Sequence, residues 1–344
     1  MDPLLTIDDL RTYFFLDEGT VRAVDGVDLV VPRGTTVGLV GESGCGKSVT
    51  AYSVLRLVSP PGRIVSGRIV LHDRRGRDVV LTSLADEGEA IRRIRGAEIA
   101  MIFQEPMTSL SPVHTVGSQI MEAVRLHTDR TRAEARAHAV RMMARVGVPD
   151  AGRRFGQYPH EMSGGLRQRA MIAMALACRP SLLIADEPTT ALDVTVQAQI
   201  MGLLKDLQVE TGMGLILITH DLGVVNEVAD RVGVMYAGKF VETGVIDDVF
   251  GRPAHPYTEG LMASIPQVEG KRRRLNPISG VPPNLAAIPA GCSFHPRCPR
   301  ARTGAAAVPG RDCEVDVPPL RTVSVDRASA CHYSEELLDE PPDR

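Results

Sequence analysis

Tryptophan is absent from this chain of 344 residues, and aromatic side chains make up only 4% of it. The sequence also lacks an apolar run of the roughly 18–20 residues that a helix needs to cross a bilayer. Its first residues, Met-Asp-Pro-Leu, have neither the basic segment nor the apolar core of a secretory signal. We therefore expect a soluble protein that stays in the cytosol.

An excess of positive charge is also lacking, because 39 Lys and Arg face 42 Asp and Glu, for a net charge of −3. Proteins that bind nucleic acid usually carry a basic face, so we expect no nucleic-acid partner. The one dense basic run, residues 271–274, is interpreted as a solvated linker surface. Only four basic residues are lysines, which draws attention to Lys47.

Apolar and charged residues make up 44% and 24% of the chain, as in ordinary globular proteins, and this excludes disorder throughout. Up to residue 250, short β-branched runs alternate with helical patterns, which predicts an α/β fold with a parallel sheet covered by helices. The apolar runs at 36–40, 182–185 and 215–219 are typical of strands buried on both faces.

Two regions depart from this alternation. Residues 109–178 contain helical patterns at 116–126, 132–146 and 165–178, and no convincing strand. The last 94 residues hold 14 of the 24 prolines and four of the six cysteines. We therefore predict one domain over residues 1–250 with an inserted helical lobe at about 109–178, followed by a loop-rich extension over 251–344.

A glycine-rich motif follows the predicted strand 36–40. Residues 41–48 read Gly-Glu-Ser-Gly-Cys-Gly-Lys-Ser, and a predicted helix, 47–57, begins at the motif's end. Strand, G-x-x-x-x-G-K-S loop and helix together indicate a phosphate-binding loop, rather than a turn with an incidental Lys-Ser. Its backbone N–H groups and helix N-terminus attract phosphate oxygens, Lys47 reaches the β- and γ-phosphates, and Ser48 binds Mg²⁺. The residues predicted to contact the nucleotide here are Ser43, Gly44, Cys45, Gly46, Lys47, Ser48 and Val49.

Two adjacent carboxylates follow the apolar run 182–185. Asp186 and Glu187 stand at the carboxyl end of a predicted strand, where ligands bind in open α/β sheets. Asp186 is expected to hold the Mg²⁺ shell, and Glu187 to polarise the water that attacks the γ-phosphate. Many strands end in acidic loops, so the pair acquires this meaning only together with the phosphate-binding loop.

Three further features complete the pattern. Gln104 follows a predicted strand at 99–103, Met-Ser-Gly-Gly at 162–165 begins a predicted helix, and His220 follows the strand at 215–219. Taken singly, each has a plainer interpretation: a strand-end glutamine, a serine N-cap or a histidine satisfied by the fold. Taken together, in this order and spacing, the motifs resemble those of the ATP-binding cassette ATPases.

That resemblance covers the whole chain and implies a P-loop NTPase (RecA-like) nucleotide-binding domain with an inserted helical subdomain. It implies a Walker A loop at 41–48, a Walker B aspartate, a catalytic glutamate, a Q-loop glutamine, a signature motif, a D-loop and an H-loop. The implied Walker B aspartate is Asp186, the catalytic glutamate is Glu187 and the Q-loop glutamine is Gln104. The implied signature motif contains Ser163, Gly164 and Gly165, the D-loop contains Asp193, and the H-loop histidine is His220. Gln104 also joins Ser48 and Asp186 around Mg²⁺. Phe14 is expected to stack on adenine, with Tyr13 and Phe15 as alternatives.

Other segments resemble the ATPase subunits of dipeptide and oligopeptide importers, with nickel and glutathione importers as close relatives. They are Phe-Gln-Glu-Pro-Met-Thr-Ser-Leu at 103–110, Tyr-Pro-His-Glu at 158–161, His-Pro-Tyr-Thr at 255–258 and Gly-Cys-x-Phe-x-x-Arg-Cys-Pro at 291–299. This resemblance implies that ATP lies between one chain's Walker A loop and the signature helix of a second, homologous ATPase. It also implies two transmembrane permease subunits, an extracytoplasmic solute-binding protein and a location on the cytoplasmic face of the membrane.

Several alternatives stay open from the sequence. A soluble P-loop enzyme such as a kinase would leave Ser163 and His220 without a role. A cassette protein of DNA repair or translation usually carries a long coiled coil or a second cassette, and neither pattern occurs here. The solute, and whether the ATPase pair is a homodimer or a heterodimer, are not determined.

Four cysteines cluster in the extension: Cys292, Cys298, Cys313 and Cys331, separated by 5, 14 and 17 residues. A cytosolic chain is not expected to keep disulfides, so the cluster indicates a metal or an iron–sulfur site. Zinc ribbons usually contain short C-x-x-C pairs, which are missing here, whereas iron–sulfur clusters accept looser spacings. The resemblance to peptide importers implies a [4Fe–4S] cluster, with zinc or free thiols as the alternatives.

Overall fold

A computed structural model of the chain describes residues 2–73, 76–104, 109–190, 192–264 and 278–340. Three features of the sequence lie outside the described residues: the basic run at 271–274, residue 191 at the start of the predicted D-loop (Ala-Leu-Asp at 191–193), and residues 105–108 of the importer-like segment at 103–110. In the described part of the chain, no helix is long and apolar enough to span a membrane.

Strands and helices alternate along most of the chain. The strands are β1 (Pro3–Leu16), β2 (Gly19–Pro32), β3 (Thr36–Val40), β4 (Gly62–His72), β5 (Asp78–Val80), β6 (Ile99–Ile102), β7 (Leu182–Asp186), β8 (Gly214–Ile218), β9 (Arg231–Tyr236), β10 (Lys239–Val245), β11 (Arg321–Ser324) and β12 (Arg327–Ser329). The helices are α1 (Lys47–Val54), α2 (Glu89–Ile94), α3 (Val116–His127), α4 (Arg132–Arg145), α5 (Ala151–Arg154), α6 (Gly164–Leu176), α7 (Val194–Thr211), α8 (Leu222–Val228), α9 (Ile246–Gly251), α10 (Pro256–Ala263) and α11 (Ser334–Asp339).

The chain forms two compact units, each made of several segments. The first unit contains Met1–Leu5, Val30–Thr35 and Val70–Ile218. The second unit contains Thr6–Leu29, Thr36–Ile69 and Thr219–Arg344.

Three parallel strands lie side by side in the first unit, in the order β8-β7-β6. Ile102 on β6 is in register with Ala185 on β7, and Asp186 with Ile218 on β8. Every residue of these strands is buried, which explains why each reads as a continuous apolar run. The strands predicted at 182–185 and 215–219 are therefore confirmed, and their carboxyl ends meet at one edge of the sheet.

Helices make up the middle of the first unit. The three predicted at 116–126, 132–146 and 165–178 are confirmed as α3, α4 and α6, which contact one another. Helix α4 begins with a capping box: Thr131 Oγ1 accepts from Glu134 N–H at 3.4 Å, and Thr131 N–H donates to Glu134 Oε2 at 2.8 Å. Among the residues described between 109 and 178, none is in a strand.

Five strands form the sheet of the second unit, in the order β11-β12-β10-β9-β3. Strand β3 is wholly buried and runs parallel to β9, whereas the other neighbours are antiparallel. The hairpin β11–β12 comes from the C-terminal extension and pairs with β10, with Glu242 opposite Ser329. This sheet therefore joins the extension to the strand that leads into the phosphate loop.

One predicted boundary differs from the structure. The helix after the phosphate loop was expected to reach residue 57 but ends at Val54. Arg56 adopts a left-handed backbone with φ of 55°, a conformation that follows many helix ends. Pro60 and Pro61, which lack the N–H groups that helix bonds need, then lead into β4.

Candidate nucleotide and cysteine sites

Glycines shape the loop between β3 and α1, called here the phosphate loop (residues 41–48). Gly41, Gly44 and Gly46 have φ of 147°, 78° and 111°, values that L-residues rarely adopt. A Cβ atom at Gly41 would lie 2.3 Å from the Met235 carbonyl oxygen, and one at Gly46 would lie 2.2 Å from that of Ala23. Both positions therefore require glycine, as the motif predicts.

Lys47 lies against the carbonyl groups of this loop. Its Nζ donates to the Gly41 and Glu42 carbonyl oxygens at 2.7 and 3.0 Å, and Cys45 Sγ lies 3.7 Å away. The Lys47 side chain is buried, and burial also raises the pKa of the Cys45 thiol. Ser43 and Gly44 are exposed at the front of the loop, and Ser48 and Val49 are half-buried in the first turn of α1. An anion here would meet exposed glycine backbone and the N-terminus of α1.

In the first unit, Gln104 and Glu187 meet at the carboxyl edge of the parallel strands. Gln104 Nε2 donates to Glu187 Oε2 at 3.0 Å, and Thr190 Oγ1 donates to the same oxygen at 2.9 Å. Glu187 follows the buried Asp186 and has a left-handed backbone, φ 46°, that its N–H bond to the Ile218 carbonyl supports at 2.8 Å. Strain of this kind in a non-glycine residue is common at functional sites.

Thr190 is a contact that the sequence analysis missed. Its hydroxyl lies three residues after Glu187, within Glu-Pro-Thr-Thr at 187–190, and a hydroxyl at that distance could have been recognised as a partner for the carboxylate. The bond fixes one rotamer of Glu187, because the carboxylate accepts from Thr190 and Gln104 on the same oxygen.

The predicted signature residues open helix α6. Ser163 and Gly164 are exposed at its N-terminus, Gly165 is half-buried and Met162 is buried. A Cβ atom on Gly165 would lie 3.1 Å from Val196 Cγ1, so the first turn of α6 runs close to α7. Asp193, of the predicted D-loop, caps α7 by accepting from Val196 N–H at 2.9 Å.

In the second unit, His220 is exposed directly after Thr219, whose N–H donates to the Leu39 carbonyl at 3.4 Å. The segment is held further by Asp221, whose N–H donates to Thr219 Oγ1 at 3.0 Å and whose Oδ1 accepts from Val224 N–H at 3.2 Å. His220 therefore lies on a short, fixed turn beside the end of β3.

The three aromatic residues considered for adenine stacking have different surroundings. The Phe14 ring is half-buried against Gly62, where a Cβ atom would lie 2.5 Å from Phe14 Cε1. Phe15 is exposed beneath the Arg63 guanidinium at 4.4 Å, and Tyr13 donates to Asp25 Oδ1 at 2.5 Å. Phe14 stays the predicted stacking residue.

The four cysteines of the extension line one cavity, although 39 positions separate the first from the last along the sequence. None forms a disulfide. Cys292 N–H donates to the Cys313 carbonyl at 2.9 Å, which links the segment around Cys292 to the segment around Cys313. Backbone amides also face the sulfurs: Arg302 N–H lies 3.5 Å from Cys313 Sγ, and Tyr333 N–H lies 3.5 Å from Cys331 Sγ.

The surroundings of these thiols disfavour an isolated thiolate. Burial, with a smaller contribution from the neighbouring thiols, raises the pKa of Cys298 to about 11 and that of Cys331 to about 12. Among the described residues, no three His, Cys, Asp or Glu side chains stand ready as a metal site. The four thiols line one cavity, and N–H groups face two of the sulfurs, Cys313 and Cys331, which are features that suit a soft cation.

Two family models match parts of this chain. A family model described as "ABC transporter" matches residues 24–190, and one described as "Oligopeptide/dipeptide transporter, C-terminal region" matches residues 241–304. The oligopeptide transport ATP-binding protein AppD of Bacillus subtilis is 49% identical, with 98% of each chain covered. The dipeptide transport ATP-binding protein DppD of Escherichia coli is 45% identical, with 96% of each covered.

A solved structure agrees as well. The dimeric structure of MJ0796, a bacterial ABC transporter cassette, matches with a TM-score of 0.62 at 25% identity, over 70% of this chain and 98% of that one. This match confirms the predicted α/β cassette fold of a P-loop NTPase. The chain therefore belongs to the ATP-binding cassette transporter family, as one of its ATP-hydrolysing subunits.

Proposed function

We propose that this chain binds and hydrolyses MgATP to power a membrane importer of dipeptides or oligopeptides. The observation that carries the proposal is the match of residues 241–304 to the C-terminal region of oligopeptide and dipeptide transporters. Relatives that share the full length, and whose names describe dipeptide and oligopeptide transport, support it. A soluble cassette ATPase has no evident use for that C-terminal region.

The proposed domain boundaries are those predicted from the sequence. Residues 1–250 form the nucleotide-binding domain, with the helical lobe at about 109–178, and residues 251–344 form the extension with the cysteine site. Helices α3, α4 and α6 support the lobe, because they contact one another within it. The cavity lined by the four cysteines supports a distinct role for the extension.

In the proposed mechanism, ATP lies between the phosphate loop of one chain and the signature helix of a second, homologous ATPase. Mg²⁺ neutralises phosphate charge when bound, and Ser48, Asp186 and Gln104 would hold it. Lys47 would pair with the β- and γ-phosphates, and Phe14 would stack on adenine. The exposed Ser163 and Gly164 and the half-buried Gly165 would bind the partner's γ-phosphate through the N-terminus of α6, with Asp193 nearby.

Hydrolysis would depend on Glu187 and His220. The Glu187 carboxylate is set to accept a proton from the attacking water, because Thr190 and Gln104 fix its rotamer. His220 would contact the γ-phosphate from its exposed turn. ATP binding would hold the ATPase pair closed and hydrolysis would open it, driving two permease subunits at the cytoplasmic face of the membrane. A solute-binding protein outside the membrane would deliver the peptide.

The transport proposal is tested by uptake in the native host. A strain that lacks this gene is expected to lose most uptake of labelled dipeptides and oligopeptides, because the transporter would lack at least one of the two ATPases between which ATP binds. The wild-type gene should restore it, and a gene carrying Glu187→Gln should not. Unchanged peptide uptake with lost nickel or glutathione uptake would assign the importer to that other solute. No change in any uptake would favour a soluble cassette ATPase.

The four extension cysteines are proposed to hold a [4Fe–4S] cluster. Such a cluster needs four cysteine ligands, and the proposal is supported by the four cysteines that line one cavity and by the N–H groups that face two of the sulfurs, Cys313 and Cys331. The bound cluster would help to fold an extension whose own apolar core is small.

Protein purified without oxygen is expected to be brown, with about four irons and broad absorption near 400 nm. Cys292→Ser, Cys298→Ser, Cys313→Ser or Cys331→Ser should remove the colour and make the extension easier to cleave by protease. Cys178→Ser is the matched control, because Cys178 is half-buried on the first unit and should leave the iron content unchanged. Stoichiometric zinc without iron, after growth with ample iron, would contradict the cluster.

A further inference from the structure

An arginine of the cysteine-rich extension pairs with a carboxylate inside the phosphate loop. Arg297 Nη1 donates to Glu42 Oε2 at 2.6 Å, and Nη2 donates to Glu42 Oε1 at 2.8 Å. The two bonds form a bidentate fork, the strongest geometry for this pair. The Arg297 side chain is only 5% exposed and that of Glu42 26%, so water screens the pair weakly. Arg297 directly precedes Cys298 in the sequence.

Glu42 is also held through its backbone. Its N–H donates to Tyr257 Oη at 2.8 Å, and Tyr257 is fully buried, with the Tyr236 and Phe294 rings 4.7 and 5.4 Å from its own. Arg297 is fixed from its other side, since its Nε donates to the Ser279 carbonyl at 3.0 Å. Both partners of Glu42 therefore occupy rigid positions in the second unit.

These bonds complement those of Lys47 on the same peptide. Lys47 Nζ donates to the Gly41 and Glu42 carbonyl oxygens. Tyr257 Oη accepts from the Glu42 N–H, and Arg297 donates to the Glu42 carboxylate. If Lys47 turns toward phosphate oxygens when a nucleotide binds, its two carbonyl bonds weaken. The bonds to Tyr257 and Arg297 do not depend on Lys47, so they can keep the start of the loop in its conformation.

The pair has an electrostatic consequence as well. Glu42 places a negative charge in a loop that binds a polyanion, and an unpaired carboxylate there would repel the phosphates. The guanidinium is permanently cationic and cancels this charge at contact distance. Removing Arg297 therefore exposes the nucleotide to repulsion and also frees the loop to move.

We infer that Arg297 is a positioning residue for nucleotide binding, which acts from the cysteine-rich extension by neutralising and immobilising Glu42 of the phosphate loop. The inference rests on the proposed role of this loop in ATP binding. The extension then helps to hold the phosphate loop in place, although the sequence motifs assign the loop and the extension to separate regions of the chain.

The test is the affinity of the full-length protein for ATP and ADP with Mg²⁺, measured by titration. Arg297→Gln is expected to weaken ATP binding about tenfold and ADP binding less, because the repulsion grows with the charge of the nucleotide. Arg327→Gln is the matched control. Arg327 lies on β12 in the same unit, and its Nε and Nη2 donate to Oε1 of the buried Glu242 on β10 at 3.1 and 2.6 Å. It should leave both affinities within about twofold of wild type.

A double variant separates positioning from general damage. Adding Glu42→Gln to Arg297→Gln removes the uncompensated charge and should recover much of the lost ATP affinity. If Arg297→Gln fails to fold, Arg297→Lys keeps the charge without the fork and should give an intermediate loss. Equal losses in Arg297→Gln and Arg327→Gln, equal losses for ATP and ADP, or no recovery in the double variant would each overturn the inference. Failure of the wild-type protein to bind ATP at all would instead refute the proposed function.

Discussion

Glu187→Gln is expected to lower ATP hydrolysis by the assembled transporter at least a hundredfold while leaving ATP binding close to wild type. A positioned general base contributes roughly 10²–10⁴ in rate, and an amide cannot take the proton of the attacking water. Glutamine has the same shape, so it can still meet Thr190, which donates to the carboxylate at 2.9 Å. Both phosphate-binding elements remain intact, and a closed, ATP-bound pair should therefore accumulate.

The measurements are the steady-state ATPase rate in the membrane complex and the fraction of closed dimer in the presence of ATP. Glu210→Gln is a suitable control, because Glu210 lies on α7 and pairs with Arg145 at 2.5 Å, in the same unit. It should leave the rate within about twofold of wild type, as expected for a surface pair. A Glu187→Gln complex that keeps most of its rate would show that another group activates the water.

Lys47→Ala is expected to act one step earlier and to weaken ATP binding roughly a hundredfold. The substitution removes the positive charge that would meet the β- and γ-phosphates. Charged hydrogen bonds are each worth about 1.5–3 kcal/mol, and a loss of about 2.7 kcal/mol corresponds to two powers of ten in affinity. It also removes the bonds to the Gly41 and Glu42 carbonyls, which support the nucleotide-free loop.

Equilibrium binding of a fluorescent ATP analogue measures this effect directly. Lys239→Ala provides the comparison, since Lys239 belongs to the same unit and makes a partly exposed pair with Asp25 at 3.4 Å. That change should leave affinity near wild type, in keeping with the small energy of exposed pairs. Normal affinity in Lys47→Ala would exclude the lysine from phosphate binding. Because Glu187→Gln stops hydrolysis after binding, the two variants should fail at different steps.

The features that the sequence determined are those encoded over short distances. The phosphate loop depends on glycines at 41 and 46, where only glycine fits, and its neighbours in the chain supply the strand and the helix. The buried parallel strands β7 and β8 read as apolar runs, because both of their faces are covered. Strands β1, β2 and β4 escaped prediction, since the polar and glycine residues within them interrupt any simple alternation.

Contacts between distant parts of the chain were decided only by the tertiary structure. The hairpin β11–β12 joins β10 through a pairing of Glu242 with Ser329, and no local periodicity specifies such a register. Arg297 and Glu42 stand 255 positions apart, and each is an unremarked polar residue within its own motif. Their pairing exists because the extension folds back within the second unit and brings a guanidinium to a carboxylate under a layer of buried rings. A motif reports the groups that its neighbours in the chain hold in place, whereas this ion pair depends on the whole fold, which supplies the geometry and the further hydrogen bonds that offset the cost of burying its charges.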